Sequence, residues 1–291
     1  MPAMQRQIAI LIDGGFFLRR LPRLLPQETV QTPEQIAKAV RRLCFNHVKR
    51  LTGDGGRYWQ QHLYRVFFYD AQPYSGKAHH PLENRPLDFG KSDVARARLQ
   101  LFECLRKERK LALRLGKVNR ERDWTLAPQL TKKLLRTRQA LAPLQRLQAG
   151  NSASGYQLTL SEQEAQLLLQ VHTQWQALQM NDVSLGLRQK GVDMRIAIDI
   201  ASLALKRQAQ TIVLVAGDSD FVPAAKLARR EGMEFVLDPL WQSVNADLFE
   251  HIDDLQSGFK RPQSIGAAHL AADETQAHQP ADDDAERETP P

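Results

Sequence analysis

Residues 8–15 read Ile8-Ala-Ile-Leu-Ile-Asp13-Gly-Gly15, and residues 211–220 read Thr211-Ile-Val-Leu-Val-Ala-Gly-Asp218-Ser-Asp220. Each is a short, continuous apolar run that ends in carboxylates. Such a run fits a strand buried on both faces, as in a parallel sheet, running out into a loop. Around these two anchors the chain alternates between helix and strand patterns. Thr32-Pro33-Glu34-Gln35 supplies an N-cap, a proline at the first helical position and a capping-box residue. Ile36, Val40, Leu43, Cys44, His47 and Leu51 then recur at helical spacing, up to the glycines of 53–56. His62 to Asp70, rich in aromatic and β-branched residues, predicts a second strand. Ser92 to Lys110 predicts a helix and Leu111 to Val118 a third strand. Asp193 to Arg207 and Val222 to Arg230 predict helices, and Glu234 to Leu237 a further strand. The order implies an α/β fold, a mostly parallel central sheet with helices on both faces.

Two stretches depart from this rhythm. Residues 119–189 hold two helix-like segments, roughly 128–149 and 161–180, around a turn-rich break at Gly150–Gly155, and are expected to form a helical insertion. Residues 260–291 are polar and rich in Ala and Pro, and are expected to be a disordered acidic tail. The folded unit is therefore expected over 1–259.

At 291 residues, 42% hydrophobic and 25% charged, the chain has the composition of a soluble globular protein that can bury a real core. No apolar run approaches the ~20 residues of a membrane span, and the first residues lack the pattern of a signal peptide. A cytoplasmic protein with no membrane partner is expected. Cys44 and Cys104 fall within helical apolar patterns and read as two buried free thiols. His79-His80, before Pro81, read as an exposed loop pair. The formal charge of +7 hides an asymmetry: after Arg261 seven acids face one arginine, a net of −6, so the rest of the chain carries +13. That balance suits a polyanionic partner.

In open parallel sheets, ligands bind at the carboxyl ends of the strands. Asp13 ends one strand, and Asp218 and Asp220 end another. If the two strands are neighbours, three carboxylates meet in one small volume, where they repel unless protonated or neutralised by a cation. Hard oxygen ligands of this kind favour Mg²⁺ or Mn²⁺. An aspartate at a strand end before a helix also serves commonly as an N-cap. Asp193 and Asp199 add two acids to one helix. Six residues separate them, about 240° of rotation, so they cannot share a face. The sequence favours Asp199, beside the apolar stripe of Ile196, Ile200 and Leu203, as the direct ligand, with Asp193 acting at the helix start.

These motifs carry a resemblance. Ile8 to Phe16, Lys190-Gly-Val-Asp193 with Asp199 six residues on, and Ala216-Gly-Asp-Ser-Asp-Phe-Val-Pro223 resemble the motif series of NYN domains, within the PIN-like metal-dependent nuclease superfamily. The chain is most similar to the bacterial LabA-like branch, over about 8–118 and 190–256. That branch has an Asn in the turn after its first aspartate, where this chain has Gly15 and Phe16. The resemblance implies a PIN-like, Rossmannoid three-layer fold. It also implies an acidic centre of Asp13, Asp193, Asp218 and Asp220 with Asp199 close by, and hydrolysis of phosphodiesters with Mg²⁺ or Mn²⁺.

The expected partner is nucleic acid, RNA in preference to DNA. Lys190 and Ser219, inside the motifs, are candidate substrate contacts. So are Lys132, Lys133, Arg136 and Arg138 in the insertion, where Arg106 to Arg146 hold thirteen Lys or Arg against three acids. An apolar stripe through Leu130, Leu134, Leu135 and Leu141 is expected to dock that helix on the body. The alternative is a non-catalytic module on the same fold that binds RNA or a partner protein. The sequence leaves a homo-oligomer open.

Overall fold

The first strand explains both layers around it. In β1 (Ile8–Asp13), Ile8, Ile10 and Ile12 point to one side of the sheet and Ala9 and Leu11 to the other, all fully buried. On the first side they pack under Phe17 and Leu21 of α1 (Gly14–Leu24), Val40 and Leu43 of α2 (Pro33–Thr52), and Leu101 and Leu105 of α3 (Asp93–Arg106). The second core gathers helices from late in the chain. In the computed structural model, which describes residues 6–149 and 156–262, Ala9 and Leu11 meet Ile196 and Ile200 of α6 (Val192–Leu205) and Ala225 and Ala228 of α7 (Val222–Arg230). Each large side chain so buried contributes about 1.5–3 kcal/mol. The remaining helices are α4 (Pro128–Arg136), α5 (Glu162–Gln176) and α8 (Ala246–Glu250). Among the described residues no helix is long and apolar enough to cross a membrane.

The other strands are β2 (Leu63–Gln72), β3 (Lys77–His80), β4 (Arg85–Asp88), β5 (Leu111–Leu126), β6 (Gln148–Ala149), β7 (Tyr156–Gln157), β8 (Val183–Lys190), β9 (Thr211–Val215), β10 (Glu234–Asp238) and β11 (Asp254–Leu255). Seven form one sheet in the order β11-β10-β9-β1-β2-β5-β8. Every pairing in it is parallel except β5 with β8. The chain builds outward from β1 through β2, β5 and β8, returns to lay β9 beside β1, and builds the other way through β10 and β11. The strand order therefore reverses between β1 and β9, the place where open α/β sheets hold their ligands.

The expected α/β class holds, and so does the capping box at Thr32: its side chain accepts from the Gln35 amide, and the Gln35 side chain accepts from the Thr32 amide. Three local readings are corrected. The residues after Asp13 are helix α1, not a loop. The stretch 119–189 is helical only in part, because it begins as the continuation of β5 and ends as β8. His80 is no exposed loop residue: it lies in β3, fully buried, with its ring 4.9 Å from that of Trp124. Cys44 is buried and Cys104 partly so, both as free thiols. The tail beyond 262 lies outside the described residues.

At the far end of β10, Asp238 shows a strand-end aspartate used for structure. Its carboxylate accepts from the amides of Leu240 and Gly258 and the hydroxyl of Ser257, and lies 2.8 Å from His47 Nε2, all buried. It ties the 257–258 turn to α2.

Gly14 and Gly15 make contrasting tests of this packing. A Cβ on Gly14 would lie 2.5 Å from both the Phe68 ring and the Tyr69 carbonyl oxygen, whereas one on Gly15 meets nothing closer than 3.4 Å. Gly14→Ala is expected to destabilise by about 1–3 kcal/mol, while Gly15→Ala, on an open helical position, stabilises by about 0.5–1 kcal/mol. Thermal melts of the two variants check this; an equal response would contradict the tight seating of α1 on β2.

Candidate active site

Parallel pairing sets Ile12 opposite Val215, so the loops leaving β1 and β9 depart side by side. The α6 face of β1 runs Ala9, Leu11, and by the same two-residue period Asp13. Its carboxylate caps α1, accepting from the Phe16 amide at 3.1 Å. Across from it, Asp218 closes a tight turn by accepting from the Asp220 amide at 3.0 Å. Gly217, just before, is where the two loops touch: a Cβ there would lie 2.5 Å from the Phe16 ring and 3.0 Å from Gln242 Nε2. Phe16, which stands in the turn where the resembling branch has Asn, is thus a buried wedge that fixes the Asp218 loop against the Asp13 loop.

The third acid-bearing element is the start of α6. Gly191, with φ of 75°, turns the chain from β8 into that helix. Asp193 stands in its first turn, and electrostatics ties it to the other two loops. Burial raises the Asp193 carboxyl above its ordinary value, and the charges of Asp218 and Asp220 raise it further. Asp13 is pushed up to about 6, by burial first and also by the charge of Asp193, against the Phe16 amide and Arg19, which lower it. Asp193 therefore interacts with Asp13 on one side and with Asp218 and Asp220 on the other.

Asp199 goes elsewhere. Its Oδ2 accepts from the Tyr69 hydroxyl at 2.8 Å and from Arg114 Nε at 3.1 Å. The half-turn offset between Asp193 and Asp199 sends one to the sheet edge and the other onto β2 and β5. These two partners lie 130 and 85 residues away in sequence. Burial and the adjacent Asp199 together push the Tyr69 phenol up, so it stays protonated and donates.

The other expected contacts are dispersed. Lys190, at the end of β8, pairs with Glu121 at 2.5 Å. Ser219 sits between the two acids of the β9 loop. Lys132, Lys133 and Arg136 are exposed on α4, but that helix ends at Arg136, and Arg138 lies on the following 3₁₀ segment. Of the expected docking stripe Leu134 is buried and Leu130 partly so, while Leu135 and Leu141 are exposed. Sequence reasoning missed Arg19 beside Asp13. It also missed Gln189, whose Oε1 would lie 4.0 Å from a Cβ on Gly15 and so reaches across from β8. Neither residue type carries a local signal; only the pairing of β8 onto β5 brings Gln189 in.

The comparisons now bear on this geometry. Residues 136–253 match the family model described as NYN domain. Over those residues the chain is similar to NYN domains. The match takes in Asp193, Asp199, Asp218 and Asp220, and stops short of β1, whose Asp13 the sheet nevertheless sets beside them. No curated protein and no solved structure matches.

Whether these carboxylates suit a metal is a question of donor chemistry. Among the described residues no three His, Cys, Asp or Glu side chains stand as a formed metal cage. The donors are nonetheless all hard oxygens, and burial together with neighbouring acids pushes up the protonation of Asp13 and Asp193, which a divalent cation relieves. The set fits such an ion in kind and charge.

The sign of the Asp13 effect is testable. Its folded value of about 6 exceeds the ordinary 3.8, so the folded state holds the proton more tightly. Stability then falls as pH rises from about 4 to about 6, and the full penalty applies above that. Asn keeps the capping oxygen and removes the charge. In chelator at pH 7.5, Asp13→Asn is expected to melt a few degrees above wild type, with the gap closing by about pH 4. Equal melting at pH 7.5 would show that Asp13 is not held in an anionic crowd.

Proposed function

We propose that the protein is a divalent-metal-dependent nuclease that hydrolyses phosphodiester bonds, with RNA as the favoured substrate. What supports the reading is that β1 and β9 end side by side at the reversal point of the sheet, with Asp13 and Asp218 at their ends and Asp193 close enough to interact with Asp13, Asp218 and Asp220. The family match supports it, since NYN domains resemble PIN-like nucleases. Asp13, Asp193, Asp218 and Asp220 would hold Mg²⁺ or Mn²⁺. When bound, such an ion lowers the pKa of a coordinated water and neutralises charge on the phosphate.

The chain's own groups supply the rest. Phe16 and Gly217 hold two of the acid loops in contact, which fixes the spacing of Asp13 and Asp218. Tyr69 and Arg114 restrain Asp199 and with it the rotation of α6, so Asp193 is presented to the edge. Lys190 and Ser219 border the acids and are placed to meet phosphate oxygens, with Arg19 adding positive charge beside Asp13.

Incubating the full chain with labelled RNA and DNA in Mn²⁺, Mg²⁺ or EDTA tests the proposal. Cleavage is expected with Mn²⁺ or Mg²⁺ and none with EDTA. Asp218→Asn is expected to lose at least about 100-fold in rate, more than the loss of an outer-shell partner to a metal ligand, without loss of fold. Cleavage that survives EDTA, or a variant as active as wild type, would refute it; binding without any cleavage would assign the fold to a non-catalytic module.

A further inference from the structure

β5 does not stop where the sheet stops. Its parallel pairing with β2 ends at Gln72 opposite Lys117, yet the strand continues to Leu126, paired antiparallel with β8. Seven steps along β8 from Lys190 to Val183, at about 3.3 Å each, make an arm roughly 23 Å long. It stands on the carboxyl edge of the sheet, the edge that bears the acids. Its base runs through Gly191 directly into Asp193. The β3–β4 hairpin buttresses it, with His80 and Phe89 packed on Trp124 at ring distances of 4.9 and 6.4 Å.

The arm is cationic in a way that costs stability. Lys117 lies directly opposite Lys190, and Asn119 opposite Arg188, so three cations share one face over two rungs. Like charges directly opposite each other destabilise a strand pair. Glu121 answers Lys190 at 2.5 Å and Arg188 at 3.6 Å. Lys117 is exposed and has no carboxylate within ion-pair distance among the described residues. At the far end, Lys132, Lys133, Arg136 and Arg138 are exposed, and the sequence holds no acid between Asp123 and Glu162.

What the charged strands lack is as telling for their ligand. Single strands are gripped by aromatic rings on which bases stack. Trp124, the arm's own ring, is turned inward onto His80 and Phe89. Trp175 is half exposed, but it sits on α5 and not on the charged strands. Cations without rings contact phosphates and read the shape of the backbone. The arm spans roughly two thirds of one turn of a duplex, whose pitch is about 34 Å.

We propose that the β5–β8 arm is the docking surface for a base-paired stem of a folded nucleic acid, which presents an adjoining strand to the acids at its base. What is cut rests on the nuclease reading above; what is bound does not. Binding of the full chain in EDTA, followed by fluorescence anisotropy across a salt series, separates the two. The probes are an RNA hairpin and a DNA hairpin with stems of about 12 base pairs, roughly one turn, and an unstructured RNA of equal length. The expected result is hairpin binding tighter than single-strand binding by about 10-fold or more. In the triple variant Lys117→Gln, Arg188→Gln, Lys190→Gln that preference should vanish, and the salt slope should fall by about 0.9 for each lost contact. Lys117→Gln alone, which breaks no ion pair, should show about one third of the slope change, and thermal melts report the fold of both. The ranking of RNA against DNA hairpin identifies the sugar preferred. Single-strand binding as tight as hairpin binding, or hairpin affinity unchanged in the folded triple variant, would overturn the proposal. Cleavage with no hairpin preference would reject the arm and leave the nuclease reading standing; hairpin preference without cleavage would do the reverse.

Discussion

When β9 pairs in register with β1, two chain segments that each end in acid are forced to end together. The apolar faces of those strands leave no choice in the matter. A shift of one residue would turn Ile10 and Ile12 onto the wrong layer and Val213 and Val215 with them. Hydrophobic burial in the two cores therefore holds partly desolvated carboxylates at one edge of the sheet, which is unfavourable by itself. Its cost is visible in the raised protonation of Asp13 and Asp193. Carboxyls whose protonation is raised by burial and neighbouring charge gather at functional sites. Asp238 supplies the contrast, for at the end of the next strand four donors consume a carboxylate of the same type entirely.

The helix α6 carries the same division of labour along one element. Asp193 faces the anionic edge, while Asp199 is bound by Tyr69 and Arg114 and keys the helix onto the sheet. Gly116 serves this seating, since a Cβ there would lie 2.5 Å from the Lys190 carbonyl oxygen and 2.9 Å from Val192. The close approach draws the β8–α6 junction onto β5, and the arm and Asp193 meet at that junction.

Most of the parallel sheet was legible because buried strands and amphipathic helices write their periods into local sequence. The capping box at Thr32 marked the start of α2 for the same reason. Elements that depend on distant partners were hidden. Gly14-Gly15 and Pro22 speak against a helix, yet α1 forms because Asp13 caps it and Phe17 and Leu21 find a core. Val183 to Lys190, interrupted by Gly186, lacks a clear strand pattern and becomes one through β5, where Arg122 packs against that glycine. His79-His80 looked like polar loop because the ring that covers His80 comes from Trp124. The acids themselves were legible as strand ends and motif positions. The partners of Asp199 were not, because Tyr69 and Arg114 lie far away in sequence.

The account stands or falls on whether these acids act together as one cation site. Direct titration with Mn²⁺, with the free ion followed by its paramagnetic resonance signal, asks this without reference to catalysis. Wild-type protein is expected to bind Mn²⁺ saturably. Asn at position 13, 193 or 218 should each weaken binding strongly, whereas Asp199→Asn should weaken it far less, because its carboxylate is held by Tyr69 and Arg114. Wild-type protein that takes up no Mn²⁺, or binding that depends on Asp199 and not on Asp193, would contradict the account.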